Sequence, residues 1–292
     1  MSLNKTALLI VNRHSRNGKQ HYSEIIQHLE SLGFTLVEDS PKTPQELPDL
    51  ICSYRDRVDL VIIGGGDGTL NMAIDGLLAT KLPLGIIPLG TANDLAKTLG
   101  IPVDLTTACE AIAKGKIKQV DLGEVNGKHF FNVASLGLSV KITKQLTKEN
   151  KRRWGVFAYA ATSLKVISKS LPFRAKITIN GETINVRTVQ IAVGNGRYYG
   201  GGMQIAYDAT IDDQRLDLYS LEVKHWWQII ALFPALWLGR HPRWLGIRLL
   251  TGQEIMIETK KHRQLNTDGE ITTKTPAKFR VIPRALEIII PQ

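Results

Sequence analysis

Hydrophobic residues in the first part of the chain form short runs that alternate with stretches of helical spacing. The apolar runs at 7–11, 35–38, 60–63 and 84–87 predict strands. Apolar residues recur three or four positions apart at 22–32, 45–54, 70–79 and 106–114, which predicts helices. Because strands that alternate with helices are typical of a parallel sheet covered by helices, this part predicts an α/β domain.

The pattern changes after Val120-Asp121-Leu122-Gly123 to an alternation of period two, which is typical of strands. Strands are predicted at 128–133, 174–179, 183–193, 215–223, 255–258 and 278–282. Asn126-Gly127 and Asn180-Gly181 are hairpin signals. We therefore predict an α/β domain over 1–123 and a β domain over 124–292. A last predicted strand, 286–290, could belong to either domain.

The third predicted strand ends in Gly64-Gly65-Gly66-Asp67-Gly68-Thr69-Leu70-Asn71. Glycines let backbone N–H groups approach an anion closely, and the helix that follows would direct free N–H groups and a positive dipole at the same anion. Asp67 would repel a phosphate, so we expect it to hold a divalent cation or to orient a reacting group. An ordinary tight strand–helix turn is the alternative.

The fourth predicted strand ends in a similar turn, Pro88-Leu89-Gly90-Thr91-Ala92-Asn93-Asp94, before a short helix at 94–99. Two such turns at the ends of successive strands predict one polyphosphate ligand held between them. Neither turn fits the two commonest glycine motifs. A P-loop requires a Lys, and none lies within 64–72. A dinucleotide fingerprint that begins at Gly64 needs its third Gly at position 69, where this chain has Thr69.

Charge is unevenly distributed along the 292 residues. Residues 1–123 carry 12 Lys/Arg and 14 Asp/Glu, whereas residues 124–292 carry 25 and 13, a net charge of +12. The second part is therefore expected to face a polyanion, either an anionic membrane or a nucleic acid, although a solvated basic surface without a partner is the alternative. Cys52 and Cys109 are expected to be reduced thiols, as in a cytoplasmic protein.

Residues 225–247 carry four of the five tryptophans together with Arg240, His241 and Arg243. Trp and Arg around the short apolar run 229–238 resemble an interfacial membrane anchor. A helix packed on the sheet of the second domain is the alternative. No apolar run approaches the length of about 20 residues that spans a bilayer, and the start shows no signal peptide.

Several motifs in fixed order resemble the diacylglycerol kinase catalytic family, whose other members include sphingosine and ceramide kinases. The resemblance covers essentially the whole chain and rests on 11–18 (Val-Asn-Arg-His-Ser-Arg-Asn-Gly), the two glycine turns, 120–123, 194–203 (Gly-Asn-Gly-Arg-Tyr-Tyr-Gly-Gly-Gly-Met), 212–217 (Asp-Asp-Gln-Arg-Leu-Asp) and 268–270 (Asp-Gly-Glu). Gly-Gly-Asp-Gly alone also occurs in NAD kinases and phosphofructokinases. Arg13 stands where the family commonly has Pro, and Gln214 where it usually has Gly.

The resemblance implies a three-layer parallel α/β nucleotide domain, similar to NAD kinase and phosphofructokinase, followed by a β-sandwich, with the active site in the cleft between them. It assigns ATP contacts to Asn12, Ser15, Arg16, Ser40, Gly65, Gly66, Asp67, Gly68, Thr69, Leu70, Asn71, Met72 and Thr91. Glu270 falls on the general base, with Asp67 as a second catalytic residue. Asp213, with the carbonyls of Thr210 and Arg215, falls on a magnesium site coupled through water to Asp121.

The predicted function is an ATP- and Mg²⁺-dependent lipid kinase that phosphorylates diacylglycerol and associates peripherally with anionic membranes. Phosphoryl transfer needs positioned phosphates, a divalent ion and a group that orients the attacking oxygen, and the motifs offer all three. The alternatives are a kinase of phosphatidylglycerol or a sphingoid lipid, a soluble-substrate kinase similar to NAD kinase, and a non-catalytic binding protein. A nucleic-acid partner is not expected, because the aromatics cluster in one apolar segment. The oligomeric state is open, with a homodimer as one alternative.

Overall fold

A computed structural model of the chain describes residues 5–13, 15–145, 170–204, 209–223, 228 and 246–292, apart from the side chains of Arg16, Gln145 and Tyr199. Most of the Trp-rich segment, including Trp226 and Trp227, lies outside the described residues. The chain divides into two units. The first comprises Met1–Leu122, Gly200–Gly202 and Ile282–Gln292, and the second comprises Gly123–Tyr199 and Met203–Val281.

The first unit alternates strands and helices along the chain. Its elements are β1 (Lys5–Val11), α1 (Arg16–Ser31), β2 (Phe34–Glu38), a 3-10 turn (Pro44–Glu46), α2 (Leu47–Ser53), β3 (Leu60–Gly65), α3 (Asp67–Thr80), β4 (Leu84–Pro88), α4 (Asp94–Thr98), α5 (Leu105–Lys114) and β5 (Lys116–Val125). Four strands pair in parallel in the order β2-β1-β3-β4.

Helices cover both faces of this parallel sheet. Leu9 and Ile62 share one core with Ile25 and Leu29 of α1 and with Ile112 of α5. The alternate strand residues, such as Ile10 and Ile63, are also buried and face the other side, where α3 contacts β3 and α2. The result is the predicted three-layer α/β arrangement, in which each helix buries an apolar stripe on the sheet.

The second unit is built mainly from antiparallel strands. Its elements are β6 (Lys128–Phe130), β7 (Val133–Gly137), α6 (Leu138–Gln145), β8 (Phe173–Ile179), β9 (Glu182–Thr188), β10 (Gln190–Gly194), β11 (Tyr198–Tyr199), β12 (Met203–Gln204), β13 (Leu216–Leu221), β14 (Ile247–Gly252), β15 (Glu254–Thr259), β16 (Gln264–Thr267), β17 (Glu270–Lys274) and β18 (Ala277–Ile290). Six strands form one sheet in the order β14-β13-β10-β7-β16-β17.

A second layer of strands packs against this six-stranded sheet. Strands β9, β8 and β15 pair antiparallel, and β15 pairs with the start of β18. One buried core contains Leu136, Ile191 and Leu265 of the six-stranded sheet together with Ile177 and Phe279 of the other layer. Two sheets that bury their apolar faces against each other form a β-sandwich, so the predicted fold class is confirmed.

Four predicted strands divide, end early or merge in the structure. The segment predicted as one strand at 183–193 divides at Val189 into β9 and β10, which belong to different layers of the sandwich. The strand predicted at 128–133 ends at Phe130, and β7 begins at Val133. The strands predicted at 278–282 and 286–290 are parts of one strand, β18, and its residue Ile288 lies opposite Leu84 of β4 in the first unit.

Candidate active site

The first glycine turn joins β3 to α3. Gly66 precedes the helix in an extended conformation, and α3 begins at Asp67, three residues before the predicted helix start. The Gly66 carbonyl accepts the N–H groups of Thr69 (2.9 Å) and Leu70 (3.2 Å). The N–H groups of Asp67 and Gly68 precede these two bonds, and N–H groups at the very start of a helix have no acceptor one turn earlier. This end of α3 is therefore positive and attracts anions.

The second glycine turn follows β4, the neighbour of β3. Asn93 has a left-handed backbone (φ 51°), and its side chain bonds Gly90 twice: Oδ1 accepts the Gly90 N–H and Nδ2 donates to the Gly90 carbonyl, both at 2.9 Å. A Cβ at Gly90 would lie 2.5 Å from the Cα of Gly66, and a Cβ at Gly66 would lie 2.9 Å from the Cα of Gly90. The two turns therefore meet backbone to backbone, which only glycine allows.

The loop after β1 lies against the same two turns. Ser15 caps α1, because its Oγ accepts the Gly18 N–H (3.0 Å) and donates to the Asn12 carbonyl (2.9 Å). Asn12 Nδ2 donates to Thr69 Oγ1 (3.3 Å), and Asn17 Nδ2 donates to the Leu89 carbonyl (3.2 Å). These side-chain bonds join the loops after β1, β3 and β4 at the carboxyl ends of their strands.

A cavity of about 600 Å³ opens where these loops meet. Seven residues predicted to contact ATP line it: Asn12, Ser15, Ser40, Gly66, Gly68, Thr69 and Met72. The predicted contacts Gly65, Asp67, Leu70, Asn71 and Thr91 are not among the lining residues, and the side chain of Arg16 is not described. Leu70 is buried in the hydrophobic core.

Sequence reasoning missed most of the wall opposite the glycine turns. Pro41, Lys42, Pro44 and Leu47 come from the loop after β2 and from the start of α2. The Pro-rich composition of this loop, directly after a predicted strand, was the available signal. Its apolar side chains give the cavity one apolar wall, while Gly66 and Gly68 bring the start of α3 to the cavity.

Asp67 has a structural partner that the sequence did not reveal. Its Oδ1 accepts the N–H of Leu95 (3.0 Å), so its carboxylate satisfies one of the free N–H groups at the start of α4. The second glycine turn is thus fixed to α3 by a bond between a charged group and a backbone donor. This bond occupies one oxygen of Asp67.

Asp94 is a functional candidate that sequence reasoning missed, although its motif was recognised. It is 5% exposed, and its Oδ2 accepts the N–H of Gly201 (2.9 Å). Its buried Oδ1 has no hydrogen-bond partner among the described residues, and Lys97 Nζ lies 4.0 Å away. Burial raises the pKa of Asp94, and the nearby charge of Asp67 raises this pKa further. A buried carboxylate oxygen left without a partner beside a second carboxylate fits the donor set of a divalent cation.

At the predicted magnesium site, the carboxylate of Asp213 already has hydrogen-bond and ion-pair partners in the protein, unlike Oδ1 of Asp94. The Asp213 carboxylate accepts the N–H groups of Thr210 and Arg215 (both 3.3 Å) and pairs with Arg215 Nε (3.2 Å). Burial raises the pKa of Asp213, and the Thr210 N–H and the Arg215 guanidinium oppose this rise. Gln214 has a left-handed backbone (φ 58°), a conformation that glycine adopts at lower cost.

The other predicted metal ligand, Asp121, belongs to the first unit, whereas Asp213 belongs to the second. Asp121 is buried, and its Oδ1 accepts the N–H of Arg284 (2.7 Å). Within the described ranges, no group of three or more His, Cys, Asp or Glu side chains is placed to hold a metal ion. The assignment of Asp213, Thr210, Arg215 and Asp121 to a metal site therefore stays a prediction.

Glu270 is the first residue of β17 and is exposed to solvent. It follows the turn Asp268-Gly269, and its partner across the hairpin is Thr267. An exposed carboxylate held at the end of a tight hairpin is available to take a proton from a substrate hydroxyl.

Comparison with known proteins identifies the family. The diacylglycerol kinase catalytic domain matches residues 6–125, and the YegS C-terminal NAD kinase beta sandwich-like domain matches residues 132–290. The chain belongs to the diacylglycerol kinase catalytic family. It is an enzyme, a lipid kinase.

Relatives match this lipid kinase over nearly its full length. A diacylglycerol kinase of Bacillus subtilis is 27% identical over 284 residues, covering 94% of this chain and 92% of the relative. A crystal structure from Bacillus anthracis strain Sterne has a TM-score of 0.84 at 27% identity and covers 99% of this chain and 97% of its own. A second, of a diacylglycerol kinase from the same strain, has a TM-score of 0.78 at 25% identity, with 98% and 97% covered.

The described part of the lipid kinase contains no helix that is long and apolar enough to cross a bilayer.

Gly68→Ala tests whether the cavity of the lipid kinase binds the nucleotide. A Cβ at Gly68 would meet no protein atom within 4 Å, although Gly68 lies in α3 and lines the cavity. Since glycine in a helix costs up to about 1 kcal/mol relative to alanine, the variant should be as stable as the wild type or more stable. We expect its KM for ATP to rise, because the new methyl group enters the cavity. Thermal unfolding and steady-state kinetics measure the two effects.

Gly18→Ala is the contrasting variant, because its Cβ would lie 2.1 Å from the Asn12 carbonyl oxygen. It should lower the unfolding temperature. An unchanged KM for ATP in a folded Gly68→Ala enzyme would place the nucleotide elsewhere.

Asp67→Asn and Asp94→Asn should lower turnover without preventing the protein from folding. Each amide keeps an oxygen for its backbone donor, Leu95 or Gly201, so both variants should fold. The raised pKa of Asp94 means that its charge opposes folding, and stability should rise as pH falls through that pKa. Asp94→Asn should therefore unfold at a higher temperature at pH 7 and show a smaller gain in stability on acidification.

Turnover of both variants should fall by roughly 10²-fold or more, the usual loss when a group that stabilises transition-state charge is removed. Asp104→Asn is the matched control, because Asp104 also accepts a backbone N–H at a helix start, that of Thr107 (2.9 Å), but belongs to neither glycine turn. Its turnover should be unchanged. If Asp67→Asn or Asp94→Asn keeps a turnover close to that of the wild type, the carboxylate at that position has only a structural role.

Proposed function

We propose that the protein transfers the γ-phosphate of ATP to a lipid hydroxyl in a Mg²⁺-dependent reaction, and that the substrate is diacylglycerol and the product phosphatidic acid. The observation that carries the proposal is the cavity of about 600 Å³ at the two glycine turns. Its volume lies within the range of nucleotide and cofactor sites, and its position at the carboxyl ends of parallel strands is where such ligands bind in α/β sheets.

The two walls of the cavity suit the two ends of ATP. Backbone N–H groups near Gly66 and Gly68 suit the phosphates, and the dipole of α3 adds attraction for negative charge. Pro41 and Leu47 on the opposite wall suit the adenine ring, which packs well on apolar side chains. The family membership supports the same orientation of ATP.

The carboxylates Asp67 and Asp94 fit a divalent cation. Asp94 supplies a buried oxygen without a hydrogen-bond partner in the described part of the chain, and Asp67 supplies the second negative charge. A bound Mg²⁺ neutralises phosphate charge during transfer. Asp67 and Asp94 would hold the ion, and their two negative charges would be offset by its positive charge.

Glu270 is the proposed general base. The lipid hydroxyl oxygen forms a bond to the γ-phosphorus, the bond between that phosphorus and the bridging oxygen breaks, and ADP leaves. The hydroxyl proton moves to the Glu270 carboxylate, so the reaction consumes one ATP and forms one phosphomonoester. Solvent exposure suits this role, because Glu270 can release the proton to water after each turnover.

A substrate panel tests the identity of the lipid. Phosphate transfer from radiolabelled ATP is measured with diacylglycerol, monoacylglycerol, phosphatidylglycerol, sphingosine, ceramide and soluble NAD, with and without Mg²⁺. Fastest transfer to diacylglycerol, abolished by EDTA, is the expected result. Faster transfer to another lipid or to NAD would show that diacylglycerol is not the preferred substrate. Transfer at the same rate with EDTA would show that the reaction does not need a divalent metal.

Glu270→Gln should lower turnover by about 10²- to 10⁴-fold, the usual contribution of a general base, and leave the affinity for ATP nearly unchanged. Glu182→Gln is a matched control, since Glu182 is also exposed and also begins a strand directly after an Asn-Gly or Asp-Gly turn. Stopped assays and nucleotide binding measure both quantities. Equal losses of ATP binding and turnover in Glu270→Gln would assign Glu270 to structure.

Binding to anionic membranes is proposed for the second unit. Arg174, Arg187 and Lys260, which we call the cationic corner, are exposed and line one shallow cavity on the outer face of strands β8, β9 and β15. Arg174 and Arg187 lie directly opposite each other, an arrangement of like charges that is unfavourable in a sheet. None of the three has an acidic partner within 4.0 Å among the described residues.

Lys176, which lines the same cavity, and two cations farther along this face are paired. Lys176 lies 3.1 Å from Glu258, Lys278 lies 3.6 Å from Glu254, and Arg280 lies 2.6 Å from Glu124. The excess positive charge is therefore local, as expected for a surface that meets an external anion. An anionic lipid surface is the partner proposed here because the substrate of a lipid kinase resides in a bilayer.

Liposome sedimentation tests this proposal. Binding should rise with the fraction of anionic lipid and fall with salt, because each basic residue near the surface adds about 1 kcal/mol and salt screens it. Arg174→Gln with Arg187→Gln should weaken binding, whereas Lys278→Gln with Arg280→Gln should have little effect. Trp226→Ala with Trp227→Ala tests the contribution of the Trp-rich segment. If binding does not change with lipid charge, with salt or with these substitutions, neither the cationic corner nor the Trp-rich segment docks on the membrane.

A further inference from the structure

The hairpin that carries Glu270 turns through Asp268 and Gly269. Both residues have left-handed backbones, with φ of 45° and 99°. Two left-handed residues in a two-residue loop form the turn type whose twist matches that of paired strands. Only Gly269 separates Asp268 from Glu270, so any bond that fixes Asp268 also restricts the start of β17.

The Asp268 carboxylate accepts three consecutive backbone N–H groups. Oδ2 accepts from Phe131 (2.7 Å), and Oδ1 accepts from Asn132 (3.0 Å) and Val133 (2.9 Å). The backbone of Asp268 adds a further bond, from its N–H to the Val133 carbonyl (2.9 Å). Hydrogen bonds to a charged acceptor are about twice as strong as neutral ones, so the turn is firmly attached to the segment that leads into β7.

Two other hairpins of the protein show why the residue at 268 is an aspartate. Asn126-Gly127 and Asn180-Gly181 have the same left-handed conformations, with φ of 50° and 77° and of 52° and 81°. Their asparagine amides donate to backbone carbonyls, such as that of Thr251 for Asn180 (3.0 Å). The three side-chain partners of Asp268 are all donors, so an asparagine there would turn its NH₂ group toward an N–H.

Asn266 fixes the same turn from its other side. Its Oδ1 accepts the Gly269 N–H (2.8 Å), and its Nδ2 donates to Thr143 Oγ1 of α6 (3.1 Å). Asn266 is 5% exposed and lies at a register shift between β16 and β17. The turn before Glu270 is thus attached through Asp268 to the segment that leads into β7 and through Asn266 to α6.

We propose that Asp268 is a positioning residue that fixes Glu270 for proton transfer, with Asn266 as a second support of the turn. The inference rests on the proposed role of Glu270 as general base. A catalytic group loses about 10²-fold in rate when it is misplaced by about 1 Å, so a loosened turn affects the chemical step although Asp268 touches no substrate.

A double-mutant cycle tests the proposal. Asp268→Asn should lower kcat by about 10- to 10²-fold with the KM for ATP unchanged. In a Glu270→Gln background the same substitution should cause no further loss, because the group that it positions is already absent. Asn266→Ala, which removes the acceptor of the Gly269 N–H, should follow the same pattern and serves as the second variant if Asp268→Asn does not fold.

The matched control is Asn180→Asp, which exchanges an amide for a carboxylate in a turn of the same type and should leave kcat unchanged. Hydrogen exchange should accelerate at the amides of Phe131, Asn132 and Val133 in Asp268→Asn and not in Glu270→Gln. Equal losses from Asp268→Asn in both backgrounds, or a folded Asp268→Asn enzyme with normal kcat, would overturn the positioning role while leaving the general base intact. Full activity of Glu270→Gln would overturn both the general base and the inference.

Discussion

The contact between the Gly66 and Gly90 backbones is the constraint on which the nucleotide unit depends. A Cβ on either residue would lie within 3 Å of the other's Cα, so the two turns meet only as glycines. Their meeting places the start of α3 beside the loop after β4, and the cavity opens where they join the loop after β1. The positive end of α3 and the two glycine turns then lie at one cavity, an arrangement that favours phosphate binding.

Aspartates in this protein repeatedly act as acceptors of backbone N–H groups. Asp67 receives the N–H of Leu95, Asp121 that of Arg284, and Asp268 those of three consecutive residues. Each of these bonds joins segments that lie far apart in the chain. Asp67 therefore combines two functions that sequence reasoning treats as alternatives, a structural bond through one oxygen and a negative charge beside Asp94.

Some elements could not be located from the sequence because their limits are set by distant partners. No Gly or Pro marks a turn within 183–193, yet the chain changes sheets at Val189, whose N–H donates to the carbonyl of Leu221. The continuous β18 contains Pro283 and a left-handed Arg284, which local preferences describe as a break, and the Asp121 carboxylate accepts the Arg284 N–H there. Pairing energy from neighbouring strands outweighs local preference in both cases.

The sequence by itself determined the alternation of strands and helices, the β-rich second part and the two glycine turns, because these depend on local periodicity and on the conformational freedom of glycine. It also supplied the motifs of the lipid kinase family. Only the tertiary structure decided that Pro41 and Leu47 line the cavity and that Asp268 fixes the turn before Glu270. It also decided that Asp94 is buried with an oxygen that has no hydrogen-bond partner in the described part of the chain. Burial, desolvation and hydrogen-bond partners arise from residues far apart in the chain, and no local pattern encodes which of them meet.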